Sequence, residues 1–176
     1  MKTKSLGVKN LVMGAVCIAL GIYLPFLTGQ IPSVGSMLLP MHIPVLLAGY
    51  LCGGPMGLIV GAVTPLLRSM LYGMPPMYPA ATAMAFELAA YGLLTGLLYR
   101  KFGKDTKAIY MSLISAMIGG RIVWGVIMWA IMSTMGGAFT MAAFIAGAFT
   151  NAVPGIILQI VIIPVIVMAL KKSKVL

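Results

Sequence analysis

Long apolar segments alternate with short polar or glycine- and proline-rich segments along the whole chain. Of its 176 residues, 61% are hydrophobic and 8% are charged, whereas a typical soluble domain carries about 25% charged residues. Apolar stretches of about 20 residues are long enough to cross a bilayer as helices. The pattern predicts an all-α integral membrane bundle, one membrane domain over 1–176, with six transmembrane helices at roughly 7–28, 36–52, 55–72, 79–99, 108–134 and 140–170.

Glycine and proline separate the predicted helices. Gly53 and Gly54 form a turn before Pro55, which suits the first turn of a helix. The sequence Gly-Met-Pro-Pro at 73–76 is a strong loop signal and could belong to a lid. Pro65 and Pro154 fall inside predicted helices and remove backbone donors there. Broken helices near polar side chains commonly line a cavity, so we expect one nearby.

Ten of the twelve basic residues that give the formal net charge of +10 fall in three clusters that flank apolar segments. The loops predicted for the opposite side contain no lysine or arginine. The positive-inside rule therefore explains the charge better than a nucleic-acid partner does, and it predicts that both termini are cytoplasmic. The clusters are Lys2, Lys4 and Lys9, then Arg100, Lys101, Lys104 and Lys107, then Lys171, Lys172 and Lys174.

Three charged residues, Arg68, Glu87 and Arg121, interrupt the apolar segments themselves. A charge at the bilayer centre costs about 2.5–3.5 kcal/mol on insertion scales, so such groups usually face a partner, a cavity or a ligand. Two arginines against one glutamate leave a positive excess that favours an anionic ligand. The alternative is that Glu87 pairs with one arginine and joins two helices, which still leaves the other arginine without a carboxylate.

Depth along the predicted helices groups these residues with other polar side chains. At about 1.5 Å per residue, the polar groups of five helices fall in the outer half of the bilayer or near its midplane. This predicts a pocket open to the outside. The alternative for the histidine is a hydrogen bond to a loop carbonyl, and the alternative for each aromatic residue is ordinary packing. The candidate substrate-binding residues are Arg68, Glu87, Arg121, His42, Asn151, Trp124 and Tyr78.

The sequence lacks the usual signatures of catalysis and of metal binding. It has no Walker A loop, so the chain is not expected to hydrolyse ATP by itself, and no common hydrolase motif. Cys17 and Cys52 lie in apolar segments, and they have no spacing with His42 that suits zinc. We therefore expect no enzyme activity, no cofactor and no metal site.

Several local motifs are similar to those of a known transporter family. The second predicted helix begins Leu-Pro-Met-His-Ile-Pro at 39–44, and a Gly-Pro-x-Gly turn follows at 54–57. The first helix carries an Ala-x-x-x-Ala motif at Ala15 and Ala19. With six short helices and basic cytoplasmic ends, the chain resembles the substrate-binding S-components of energy-coupling-factor (ECF) vitamin transporters over essentially its whole length.

The resemblance implies a vitamin-binding protein of a prokaryotic plasma membrane that crosses the membrane several times. It would dock through Ala15 and Ala19 onto a transmembrane coupling subunit that is bound to two ATPases. The arginine excess makes pantothenate the first expected ligand and niacin the second, while neutral vitamins remain open. The alternative is a self-sufficient secondary carrier or channel with Glu87 as its proton site, which the absence of an inverted repeat makes less favourable.

Overall fold

The computed structural model describes residues 7–28, 31–103 and 105–173. It is all-α in these residues, which contain no strand. Short 3₁₀ or π segments at Leu24–Thr28, Met77–Ala81 and Ala146–Thr150 connect or extend the helices. The helices are α1 (Val8–Tyr23), α2 (Pro32–Leu38), α3 (His42–Cys52), α4 (Gly54–Tyr72), α5 (Thr82–Lys101), α6 (Thr106–Thr134), α7 (Met141–Ile145) and α8 (Val153–Lys172).

Five helical segments of the described chain are long and apolar enough to cross a membrane. They establish a membrane protein with several spans. The short helix α3 has 11 residues and is therefore about 16 Å long, roughly half of the hydrocarbon thickness. The five segments are Val8–Leu27, Gly54–Tyr72, Met77–Lys101, Thr106–Thr134 and Met141–Lys172.

The prediction of one continuous second helix over 36–52 is wrong. Helix α2 begins earlier, at Pro32, within the predicted loop, and it ends where Leu39 adopts a left-handed conformation. The Leu39 N–H donates to the Gly35 carbonyl, and Pro40 has no N–H to continue the helix. The chain turns there and starts α3 at His42.

The predicted sixth helix, over 140–170, is also divided in the structure. A π turn over Ala146–Thr150 follows α7, and Asn151 N–H donates to the Ala146 carbonyl at 2.9 Å. Pro154 lies in the first turn of α8 and not in a helix interior as predicted. A proline is well tolerated at that position because the N–H it lacks would have no intrahelical acceptor.

Glycines bring α4 and α5 into backbone contact. A Cβ atom added to Gly92 would lie 2.2 Å from the carbonyl oxygen of Gly57, and one added to Gly61 would lie 2.2 Å from that of Leu88. Helix α5 also packs against α3 and α6, so it is the central element of the bundle. The small-residue spacing along α4 and α5 therefore serves internal packing, as small residues do between membrane helices.

Helix α1 is packed on one side only. Gly14 and Gly21 face α4, where an added Cβ would meet the side chains of Met56 and Thr64. On the other side, Ala15 and Ala19 are exposed, together with larger apolar residues such as Val16. This surface of α1 is therefore apolar and exposed in the described chain.

We expect Gly92→Ala to lower the free energy of unfolding by about 1–3 kcal/mol, since overpacking forces neighbouring backbones apart. The thermal unfolding midpoint of the protein purified in detergent measures the effect. Gly35→Ala is the matched control, because a Cβ at Gly35 meets nothing within 4 Å. Equal midpoints for the two variants would show that the α4–α5 contact does not depend on glycine.

Candidate functional site

A cavity of about 380 Å³ opens at the end of the bundle where α1 and α4 end and α3 begins. Its wall is mostly apolar, and several of the residues are methionines and prolines, including three prolines from the segment between α4 and α5. Five of its residues are polar or charged. The polar residues are His42, Arg68, Glu87, Arg121 and Asn151, and the apolar ones include Met41, Met74, Pro75, Pro76, Pro79, Met84, Trp124 and Met128.

Glu87 is the centre of a buried polar group that joins three helices. Its Oε1 accepts a hydrogen bond from Arg121 Nη1 at 2.8 Å and lies 3.3 Å from His42 Nε2. Glu87 itself is only 2% exposed. The sequence did not show which arginine pairs with Glu87, and in the structure it is Arg121. It compensates one guanidinium charge inside the bundle, and removing either partner would leave a buried charge uncompensated.

Arg68 lies in the same cavity wall but outside this group. Its Nη1 donates to the carbonyl oxygen of Ile22 at the end of α1. Its guanidinium carbon lies 5.2 Å from the ring centroid of Phe26 and 5.7 Å from that of Tyr72. All three partners are uncharged, so Arg68 is oriented by its neighbours without being neutralised.

The remaining predicted site residues divide between the cavity and its surroundings. Trp124 and Asn151 line the cavity, and Trp124 packs edge-on against Phe139 with the ring centroids 5.8 Å apart. Tyr78 is 51% exposed and is not among the lining residues, although the adjacent Pro79 is. A role for Tyr78 in binding the ligand is therefore only a prediction from its place in the sequence.

Two buried polar residues outside the cavity lining were missed in the sequence. Tyr91 packs edge-on against His42, and its hydroxyl lies beside the Arg121 guanidinium without meeting hydrogen-bond geometry. Gln159 in α8 is fully buried, and neither atom of its amide group has a partner in the described chain. The one available signal was the isolated polar residue in the apolar segment of α8.

Unused hydrogen-bonding atoms are concentrated around the ion pair. Nε and Nη2 of Arg121 are buried without a partner in the described residues, as is Nδ1 of His42. Buried polar groups normally have at least one partner. The hydrogen bonds of the pair are therefore incomplete in the described residues, beside the cavity that Arg121 and His42 line.

Replacing Glu87 with Gln should lower stability by about 3–5 kcal/mol, because Arg121 then keeps a buried charge without its counter-charge. The double variant Glu87→Gln with Arg121→Gln removes both charges and should lose less than Glu87→Gln alone. Thermal unfolding of the four proteins in a double-mutant cycle measures the coupling, which should then exceed the loss in Arg121→Gln alone, about 3 kcal/mol or more. Additive losses would mean that the two side chains do not stabilise each other.

Comparison with known proteins gives one match. Residues 9–167 match the family model of the ECF transporter substrate-specific component, which covers the chain from α1 into α8. No curated protein and no solved structure matches the chain. Members of this family are substrate-binding membrane proteins and not enzymes, and they work with a transmembrane component and ATPases. The chain belongs to the family of ECF transporter substrate-specific components, the S-components.

Proposed function

We propose that this S-component takes up a vitamin or related micronutrient that carries a carboxylate, and that the central cavity is its binding site. The observation that carries the proposal is the charge of the cavity wall. Arg68 and Arg121 line the cavity together with a single carboxylate, that of Glu87, which is paired with Arg121. A bound anion would neutralise the remaining positive charge, which is costly at bilayer depth.

The size and lining of the cavity support a small organic ligand. Binding sites for such ligands usually have volumes of about 300–1,000 Å³ and mainly apolar walls with a few placed polar groups. The cavity here has about 380 Å³ and the same kind of lining. Pantothenate is the first candidate and niacin, as nicotinate, the second. Neutral vitamins such as pyridoxine and riboflavin are the alternatives, and a binding test distinguishes them from the two carboxylates.

We further propose that the chain has six spans, with both termini in the cytoplasm of a prokaryotic cell. The second span is then the broken pair α2 and α3, which turns at Leu39 and supplies residues to the cavity. Basic residues at the ends of α5 and α8, such as Arg100 and Lys171, support this orientation. In this orientation, the cavity opens to the outside of the cell.

The apolar surface of α1 supports a docking role for Ala15 and Ala19. Both residues are exposed in the described chain. Small residues at this spacing allow another helix to approach closely within a membrane. We therefore assign contact with the transmembrane coupling subunit to this surface, while the paired ATPases supply the energy for transport.

Mass spectrometry of compounds that co-purify with the protein tests the proposed function. We expect a carboxylate vitamin, and we expect added pantothenate to bind tightly to the emptied protein. Liposomes that contain this chain alone should bind the vitamin without accumulating it, because energy comes from the ATPases. Continuous gradient-driven uptake by the chain alone would favour the secondary carrier, in which Glu87 would have to take up a proton despite its pairing with Arg121.

Replacing both Ala15 and Ala19 with Trp should spare vitamin binding but abolish uptake by the complete ECF assembly, since two indoles prevent close helix contact. Binding by calorimetry and uptake of labelled vitamin by cells measure the two effects. Ile118→Trp with Ile122→Trp is the matched control, because these residues are also exposed and one turn apart, on α6. Uptake that is equal in both double variants would remove α1 as the docking surface.

A further inference from the structure

The two arginines of the cavity wall differ in the way their charges are compensated. Arg121 is paired with Glu87 at 2.8 Å. The only other acidic residue of the chain is Asp105, which caps the start of α6 by accepting from the Ala108 N–H at 2.8 Å. Arg68 therefore has no carboxylate of the chain available to it, and it retains a full positive charge in the cavity wall.

The surroundings of Arg68 hold its guanidinium in place but leave this charge uncompensated. The residue is only 3% exposed, and its polar and ring contacts in the described residues include the Ile22 carbonyl and the rings of Phe26 and Tyr72. The two rings also pack edge-on against each other, with centroids 5.0 Å apart. The two cation–π contacts offset some of the cost of a charge in the membrane, at about 0.5–2 kcal/mol each, but they supply no counter-charge.

The bond to Ile22 makes Arg68 part of the end of α1. The last carbonyls of a helix lack intrahelical donors, and here Pro25, three residues after Ile22, has no N–H to offer. The Arg68 guanidinium supplies a donor from α4 in its place. One side chain thus contacts both the cavity and the end of the helix whose other surface carries Ala15 and Ala19.

We propose that Arg68, and not Arg121, selects the carboxylate of the ligand and transmits its presence to the end of α1. A guanidinium has five N–H donors in a rigid fork, so it can bind a carboxylate and keep its bond to Ile22 at the same time. The bound carboxylate then restrains the guanidinium and, through it, the last turn of α1. This inference rests on the proposed uptake of a carboxylate vitamin.

The assignment gives the Glu87–Arg121 pair a different role. As an electrically neutral unit that lines the cavity, the pair does not distinguish a charged ligand from an uncharged one by net charge. Loss of the pair should therefore weaken a carboxylate and its uncharged analogue alike. Loss of Arg68 should weaken the carboxylate far more than the analogue.

Two matched probe pairs test this difference with the full chain in lipid nanodiscs. Pantothenate is compared with its uncharged alcohol pantothenol, and nicotinate with nicotinamide. We expect one of the carboxylates to bind about tenfold or more tightly than its neutral partner, a difference of about 1.4 kcal/mol. In Arg68→Gln the preference should fall to about twofold, and in Arg68→Lys, which keeps the charge but loses the planar fork, it should lie between those of Arg68→Gln and wild type.

The control is the double variant Glu87→Gln with Arg121→Gln, which leaves the net charge of the cavity unchanged. It should lower the affinity for both members of a pair while the ratio between them stays within about threefold of wild type. A preference that survives in Arg68→Gln but disappears in the double variant would overturn the assignment. Equal affinities for the neutral and the charged member of each pair would also overturn the assignment. So would the absence of binding by any of the four probes.

Hydrogen–deuterium exchange of residues 20–27 tests the transmission to α1. In the wild-type protein, the preferred carboxylate should slow exchange in this peptide several-fold, and its neutral partner should not. In Arg68→Gln, saturation with the same carboxylate should leave exchange unchanged. Protection that persists in this variant would show that Arg68 does not couple the cavity to α1. A co-purified neutral vitamin would contradict the anion assignment but leave the uptake function intact.

Discussion

The backbone contact between α4 and α5 fixes the position of the other parts of the site. Gly57 and Gly92 approach so closely that no side chain fits between them. This contact holds α5 against α4 and α3, and Glu87 lies about one turn before it, facing His42 and Arg121. A larger residue at Gly92 would push α5 outward and move the Glu87 carboxylate relative to its two partners. The polar group is thus positioned by packing between apolar helices.

The charge of the cavity wall follows from the small number of acidic residues in the chain. The chain has two acidic residues against twelve basic ones, and the helix cap at Asp105 uses one of them. A single carboxylate is left to compensate two buried guanidinium groups, and geometry assigns it to Arg121. An energy source outside the chain fits this composition, because a carrier driven by protons or sodium generally needs free carboxylates within the membrane. The family to which the chain belongs works with separate ATPases.

The sequence predicted the helical class, the location of most helices and the polar residues that matter, because a charge in an apolar segment is visible without a structure. It could not predict which arginine pairs with Glu87, since that depends on the rotation of α4 and α6 about their axes. Tyr91 was missed because a tyrosine in an apolar helix is usually a packing residue, and its contact with His42 arises only from the fold. The break at Leu39 was missed because hydropathy stays high through it, while the conformations of Leu39 and Pro40 end the helix.

That break also explains why a cavity exists in so small a bundle. Helix α3, at about 16 Å, fills roughly half of the bilayer thickness, and the chain before it turns aside at Leu39. Leu39, Pro40 and Met41 of the turn all line the cavity. Irregular backbone is tolerated at membrane depth where it is buried in protein or faces a water-filled space, since its polar groups would otherwise lack partners. The division between α2 and α3 and part of the cavity wall therefore come from one local feature, because a continuous helix over 36–52 would lack the turn whose residues line the cavity.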